Sequence, residues 1–268
     1  MKLRVVELLL VTTIPTMVLA EGGWPSIQLM AVTLFGGTLA AGGANAINMY
    51  IDRDIDKLMV RTQNRPLVTG ALTPRAAMIF AIALEIVAFL VLWAGANLLA
   101  AVLAVSATLF YVFVYSLWLK RTSKQNIVIG GAAGAMPVLV GWAAVTNSLG
   151  WAPVVLFVVI FLWTPPHFWA LAIRHADDYK AAGVPMMPVV VSLERTVRSM
   201  SIYAVLLTLS TLVLVPVAEL GWIYGITALV FGVALSSGRF GWEVILQPSV
   251  RCACLPSPLL TSRQFSLR

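Results

Sequence analysis

Asn48-Met-Tyr-Ile-Asp52-Arg-Asp-Ile-Asp56 closes an apolar run extending from Gln28 to Ile47, so three carboxylates and a carboxamide stand at the mouth of a hydrophobic segment. Charge beside hydrocarbon is costly, and a cluster of it argues for a bound counter-ion rather than for packing. Asn48, Asp52 and Asp56 are spaced i, i+4, i+8, which on one continuous helix lines them up on a single face, each about 6 Å further along the axis. Oxygen ligands in a row suit a hard cation. Mg²⁺ takes one or two protein carboxylates, keeps waters and completes its shell with phosphate oxygens, so the pattern points to a magnesium diphosphate.

The rest of the chain places this cluster in a membrane. Of 268 residues, 60% are hydrophobic and 11% charged, and the mean hydropathy is +0.92. Soluble domains carry about 25% charged residues. The expected fold is an all-α polytopic bundle of about eight spans, each near the ~20 residues a bilayer requires. The spans run from Val5 to Ala20, Gln28 to Ile47, Ala76 to Gly95, Leu98 to Leu119, Ile127 to Val145, Pro153 to Ile173, Ile202 to Val217 and Trp222 to Leu235. Lys2 and Arg4 ahead of the first run resemble a signal sequence, but Val18 is a poor cleavage-site residue and an uncleaved first span is expected. Cys252 and Cys254 are too few for a disulfide framework or a four-ligand zinc site.

The net charge of +7 is unevenly spread. Arg53, Lys57, Arg61, Arg65 and Arg75 follow the second span; Lys120, Arg121 and Lys124 follow the fourth; Arg174, Lys180, Arg195 and Arg198 follow the sixth. The loops at Glu21, Asn97, Asn147 and Glu219 hold no Lys or Arg. By the positive-inside rule the charged loops and the N-terminus are cytoplasmic. The charge thus reads as topology, and no nucleic-acid partner is expected. Arg61, Arg65, Lys120 and Arg121 share the membrane face of the carboxylates, where guanidinium and ammonium groups suit the free phosphate oxygens.

A second polar group follows the sixth span. Both histidines of the chain, His167 and His175, lie there with Arg174, Asp177 and Asp178, and helical spacing is expected to bring His167, Arg174 and Asp178 near one face. Glu7 and Glu85 are single acids inside spans, each a candidate for a polar cavity. Gly36, Gly37, Gly43, Gly130, Gly131 and Gly134 lie within apolar spans, where small residues permit close helix packing rather than phosphate binding.

At these residues the sequence resembles the UbiA superfamily of intramembrane prenyltransferases, whose first signature, N-x-x-x-D-x-x-x-D, is matched by Asn48, Asp52 and Asp56. Within it the haem O synthase subfamily is the nearer likeness. Arg61-Thr, Asn64-Arg-Pro, Lys120-Arg-Thr, Gln125-Asn-Ile-Val-Ile-Gly-Gly, Pro166-His-Phe-Trp, Asp177-Asp-Tyr and Pro185-Met-Met-Pro carry that similarity, which runs from about Arg4 to Leu235. The resemblance implies magnesium-assisted ionisation of farnesyl diphosphate and capture of the allylic cation by a vinyl group of haem B. Water then completes a hydroxyethylfarnesyl substituent. Asn48, Asp52 and Asp56 would hold the metal, Arg61, Arg65, Lys120, Arg121 and Arg174 the diphosphate, and His167 and Asp178 would act catalytically. Tyr50, Trp163, Phe168 and Trp169 are candidates for an aromatic wall. The resemblance further implies the inner or plasma membrane, with haem A synthase or oxidase assembly factors as partners. Alternatives are prenylation of an aromatic quinone precursor, or non-catalytic transport. Transporters place their binding groups near the bilayer midplane, whereas these polar groups gather at one face.

Two departures from the superfamily pattern stand out. Where many members have a second D-x-x-x-D motif, this chain has His167, Arg174, Asp177 and Asp178. Residues 1–237 are expected to form the transmembrane domain, and 238–268, rich in Ser, Pro and Arg, read as a tail in place of a ninth span, consistent with a changed reading frame near residues 235 to 240.

Overall fold

A computed structural model describes residues 3–236, with side chains from residue 11 onward. Glu7 and the tail at 238–268 therefore lie outside the described side chains and residues. The described chain is helical throughout: α1 (Leu3–Glu21), α2 (Ile27–Ile51), a 3-10 turn (Ile55–Lys57), α3 (Pro66–Thr69), α4 (Pro74–Gly95), α5 (Leu98–Leu109), a π-helical segment (Phe110–Leu119), α6 (Lys120–Thr122), α7 (Asn126–Thr146), α8 (Trp151–Arg174), α9 (Ala176–Ala181), α10 (Met187–Val190), α11 (Leu193–Val217) and α12 (Trp222–Ser236). Six continuous helical stretches are long and apolar enough to cross a bilayer, and Val11–Glu21 and Trp222–Ser236 are shorter apolar helices. Of the eight apolar helices expected to span, six have the length and apolarity to do so.

Local chemistry sets the ends. Ser26, Thr73, Asn97 and Ser192 each accept a hydrogen bond from a backbone N–H in the first turn of the following helix, satisfying donors left without an intrahelical partner. α11 begins at Leu193, more than two turns before the apolar run at Ile202. Hydropathy registers only the part of a helix in lipid, and the segment with Glu194, Arg195 and Arg198 continues the helix beyond it.

The bundle is small inside and bulky outside. α4 buries Ala77, Ala81, Ala88 and Leu92 while Ile79, Phe80, Ile82, Ile86 and Trp93 remain exposed. In lipid, apolar bulk gains nothing by turning inward, and close approach of helix backbones supplies the packing. α7 packs on α1, α2, α5, the π-helical segment and α8 and is the most enclosed span, with 44% of its apolar window buried. Its glycines explain this. A Cβ on Gly131 would stand 2.9 Å from Thr164 on α8, and one on Gly130 would strike the ring of Tyr115. The glycines thus serve packing. Gly36→Val, whose Cβ would lie 2.6 Å from Cγ of the fully buried Leu92, is expected to lower the thermal midpoint in detergent, at a cost of about 1–3 kcal/mol. Gly134→Val, with no atom within 4 Å of the new Cβ, should leave that midpoint nearly unchanged.

Candidate active site

α2 stops at Ile51 and Asp56 belongs to the following 3-10 turn, so Asn48, Asp52 and Asp56 do not share one continuous helix. The i+4 relation survives nonetheless. The Asp52 N–H donates to the Asn48 carbonyl at 2.9 Å and the Asp56 N–H to the Asp52 carbonyl at 2.8 Å, which keeps the three side chains in succession. All three are buried: Asn48 is 7%, Asp52 0% and Asp56 3% exposed.

Each carboxylate meets a cation, one from a distant part of the chain for Asp52 and Asp54 and one from nine residues on for Asp56. The Lys120 ammonium donates to Oδ2 of Asp52, and Arg65 donates to Oδ2 of Asp56 at 2.5 Å. Arg121 forks onto both oxygens of Asp54 at 2.7 Å and also donates to the Ile51 carbonyl at 3.0 Å. This fork holds the Asp54 carboxyl down to about 2. Asp54 and Arg121 are largely exposed, so their pair contributes little to stability. The charges of the three carboxylates and three cations sum to zero.

Asn48 orients the central carboxylate. Its Nδ2 donates to Oδ2 of Asp52 at 2.8 Å and to Oγ of Ser116 at 3.0 Å, which leaves the amide carbonyl as a ligand atom. Ser116 comes from the π-helical segment, where the Ser116 hydroxyl donates to the Tyr111 carbonyl at 3.0 Å and the Lys120 N–H to the Tyr115 carbonyl. Wider turns of this kind recur at functional sites. Here they bring Tyr115 and Lys120, five residues apart, closer in rotation than an α-helix would. Tyr111 and Tyr115 stack with centroids 5.3 Å apart. Ser116, Tyr111 and Tyr115 went unread in the sequence because nothing in local composition marks a π-helical register.

Oδ1 of Asp52 is buried and accepts no hydrogen bond; a guanidinium nitrogen of Arg121 is 3.8 Å away. An orphaned, buried carboxylate oxygen fits a hard divalent cation. Among the described residues no group of three His, Cys, Asp or Glu side chains is placed to hold a metal by itself. That suits Mg²⁺, which draws most of its shell from water and phosphate.

The other expected residues lie apart. Arg61 is exposed and makes no hydrogen bond or ion pair among the described residues. α8 ends at Arg174, and His175, at φ −119° and ψ 26°, breaks the helix before α9. His167 and Asp178 therefore stand on different helices, against the expected shared face. His167 is exposed, stacks on Trp163 with centroids 4.3 Å apart and meets Phe168 edge-on at 5.3 Å. Trp169 is 1% exposed, packed in a core with Ile55, Met59, Ile127 and Met200, so it is a core residue rather than an open wall. Tyr50 lies under the guanidinium of Arg53, 4.6 Å from the ring centre. Glu85 faces α2 between α4 and α5, accepting from the Thr108 hydroxyl at 3.2 Å, with room made by Gly43.

Residues 9–245 match the UbiA prenyltransferase family. A protein named protoheme IX farnesyltransferase from Parafrankia sp. (strain EAN1pec) is 58% identical over 87% of this chain and 74% of its own length. One of the same name from Streptomyces avermitilis is 52% identical over 90% of this chain and 78% of its own. Among solved structures, the apo form of a UbiA homolog from Aeropyrum pernix K1 superposes with TM-score 0.73 at 17% identity, covering 94% of this chain and 93% of its own. A UbiA homolog from Archaeoglobus fulgidus bound to GPP and Mg²⁺ gives TM-score 0.66 at 20% identity, covering 92% and 90%.

Proposed function

The chain belongs to the UbiA prenyltransferase family, and on that premise we propose that it transfers a farnesyl group from farnesyl diphosphate to a vinyl group of haem B, giving haem O. The name shared by its relatives supports the acceptor. The observation that carries the site is the fully buried Asp52, one oxygen saturated by Asn48 and Lys120 and the other bare.

In this reading Asn48, Asp52 and Asp56 hold Mg²⁺, which when bound offsets the charge growing on the departing diphosphate. Arg61, Arg65, Lys120, Arg121 and Arg174 grip phosphate oxygens, the guanidinium forks two at a time. The stacked Tyr111 and Tyr115, on the segment that carries Ser116, would keep bulk water from the allylic carbon once its C–O bond breaks and the electron pair leaves with the diphosphate. The vinyl group supplies the electrons of the new C–C bond. The resulting positive charge beside the porphyrin is quenched by water, which loses a proton to His167 or to a carboxylate such as Asp178. Residues 1–237 form the catalytic unit, its charged loops on the cytoplasmic side as the positive-inside rule assigns them.

Membranes containing the chain, given haem B, farnesyl diphosphate and Mg²⁺, are expected to form haem O, read by mass spectrometry. Failure with haem B combined with prenylation of an aromatic acid would overturn the acceptor assignment.

A further inference from the structure

Lys120 differs from the other two cations of the site. Arg121 is anchored by three hydrogen bonds, to Asp54 and to the Ile51 carbonyl. Arg65 pairs with Asp56 through one nitrogen and has further N–H groups with which to reach a phosphate while staying in place. Lys120 offers a single nitrogen on a flexible stem, and among the described residues its only ion pair is with Asp52. Its side chain is 15% exposed, that of Asp52 not at all.

A bare divalent cation approaching Oδ1 of Asp52 would add two positive charges to a cluster whose charges already cancel. The ammonium on Oδ2 and the Arg121 guanidinium, 3.8 Å from Oδ1, both repel it; Arg121 is held by Asp54, so close binding turns out the ammonium and leaves a largely buried charge unpaired, which is strongly unfavourable. A magnesium diphosphate ester arrives with net negative charge near neutral pH, and its phosphate oxygens accept the ammonium as the metal takes the carboxylate. We propose that Lys120 is a displaceable counter-ion that excludes free divalent cations from the Asp52 site and admits the metal only together with a diphosphate. Metal and diphosphate binding are then coupled through one side chain. The inference rests on the reading of this site as one for a metal diphosphate.

Mn²⁺ binding to the full chain in lipid nanodiscs, followed by electron paramagnetic resonance with and without inorganic pyrophosphate, tests it. Sites persisting in Asp52→Asn are subtracted. The parent is expected to bind Mn²⁺ on the order of tenfold tighter with pyrophosphate than without. Lys120→Met should bind Mn²⁺ alone on the order of tenfold tighter than the parent and lose most of the pyrophosphate enhancement. Lys120→Arg, which keeps the charge, should restore weak binding of Mn²⁺ alone. Lys120→Gln, which keeps a hydrogen-bond donor without the charge, should behave as Lys120→Met does and serves in its place if Lys120→Met does not fold. Neutral variants that bind Mn²⁺ alone no more tightly than the parent overturn the counter-ion role. A parent that takes up no Mn²⁺ at the Asp52 site even with pyrophosphate overturns the metal diphosphate reading itself.

Discussion

Asp52→Asn is expected to lower haem O turnover by roughly 10²–10³, the range for removing one preorganised group that offsets charge developing in the transition state. Asn matches the shape of Asp and still accepts from Asn48, so the variant removes charge and leaves packing intact. Lys120 loses its counter-ion while its side chain stays largely buried, so some stability is lost as well. Turnover is therefore compared per folded molecule, with the folded yield measured alongside. Raising Mg²⁺ should recover only part of the rate, because the lost ligand serves the chemical step as well as binding. Turnover near the parent's at limiting Mg²⁺ would remove Asp52 from the site.

His167→Ala should separate the two substrates. Among the described residues His167 stacks on Trp163 and has no hydrogen bond with the carboxylate cluster, and in the proposed reading it serves the acceptor rather than the donor. Loss of a general base or acceptor-positioning group costs roughly 10²–10⁴ in rate. The variant is expected to bind a non-hydrolysable farnesyl diphosphate analogue as the parent does and to lose haem O formation by that factor. Weakened binding of the analogue, with the rate on bound donor and haem unchanged, would move His167 to the diphosphate site.

How far each residue was legible follows from where its partners sit in the chain. Asn48, Asp52 and Asp56 were readable because their relation is local: four-residue steps repeated at the end of an apolar run, held by backbone hydrogen bonds even where the α-helix ends. His167 and Asp178 were misjoined because a straight helix was extended through His175, whose backbone angles break it. Trp169 looked like an open aromatic and is core, since the side of α8 that turns inward depends on α7 and α11 and not on the composition of α8.

The sequence by itself determined that the chain is an all-helical, multi-pass membrane protein, that its Lys and Arg gather in alternate loops, and that an acidic signature closes the second apolar run. All three follow from transfer free energies that depend on composition over one segment. Only the tertiary structure decided that Lys120, 68 residues from Asp52, satisfies one of its oxygens while the other stays bare, and that Ser116 from a π-helical turn orients Asn48. Those facts depend on how helices rotate and approach, which glycine and alanine contacts set between segments far apart in the chain. A few tens of degrees of rotation on α2 or the π-helical segment would exchange one set of partners for another without altering any local propensity.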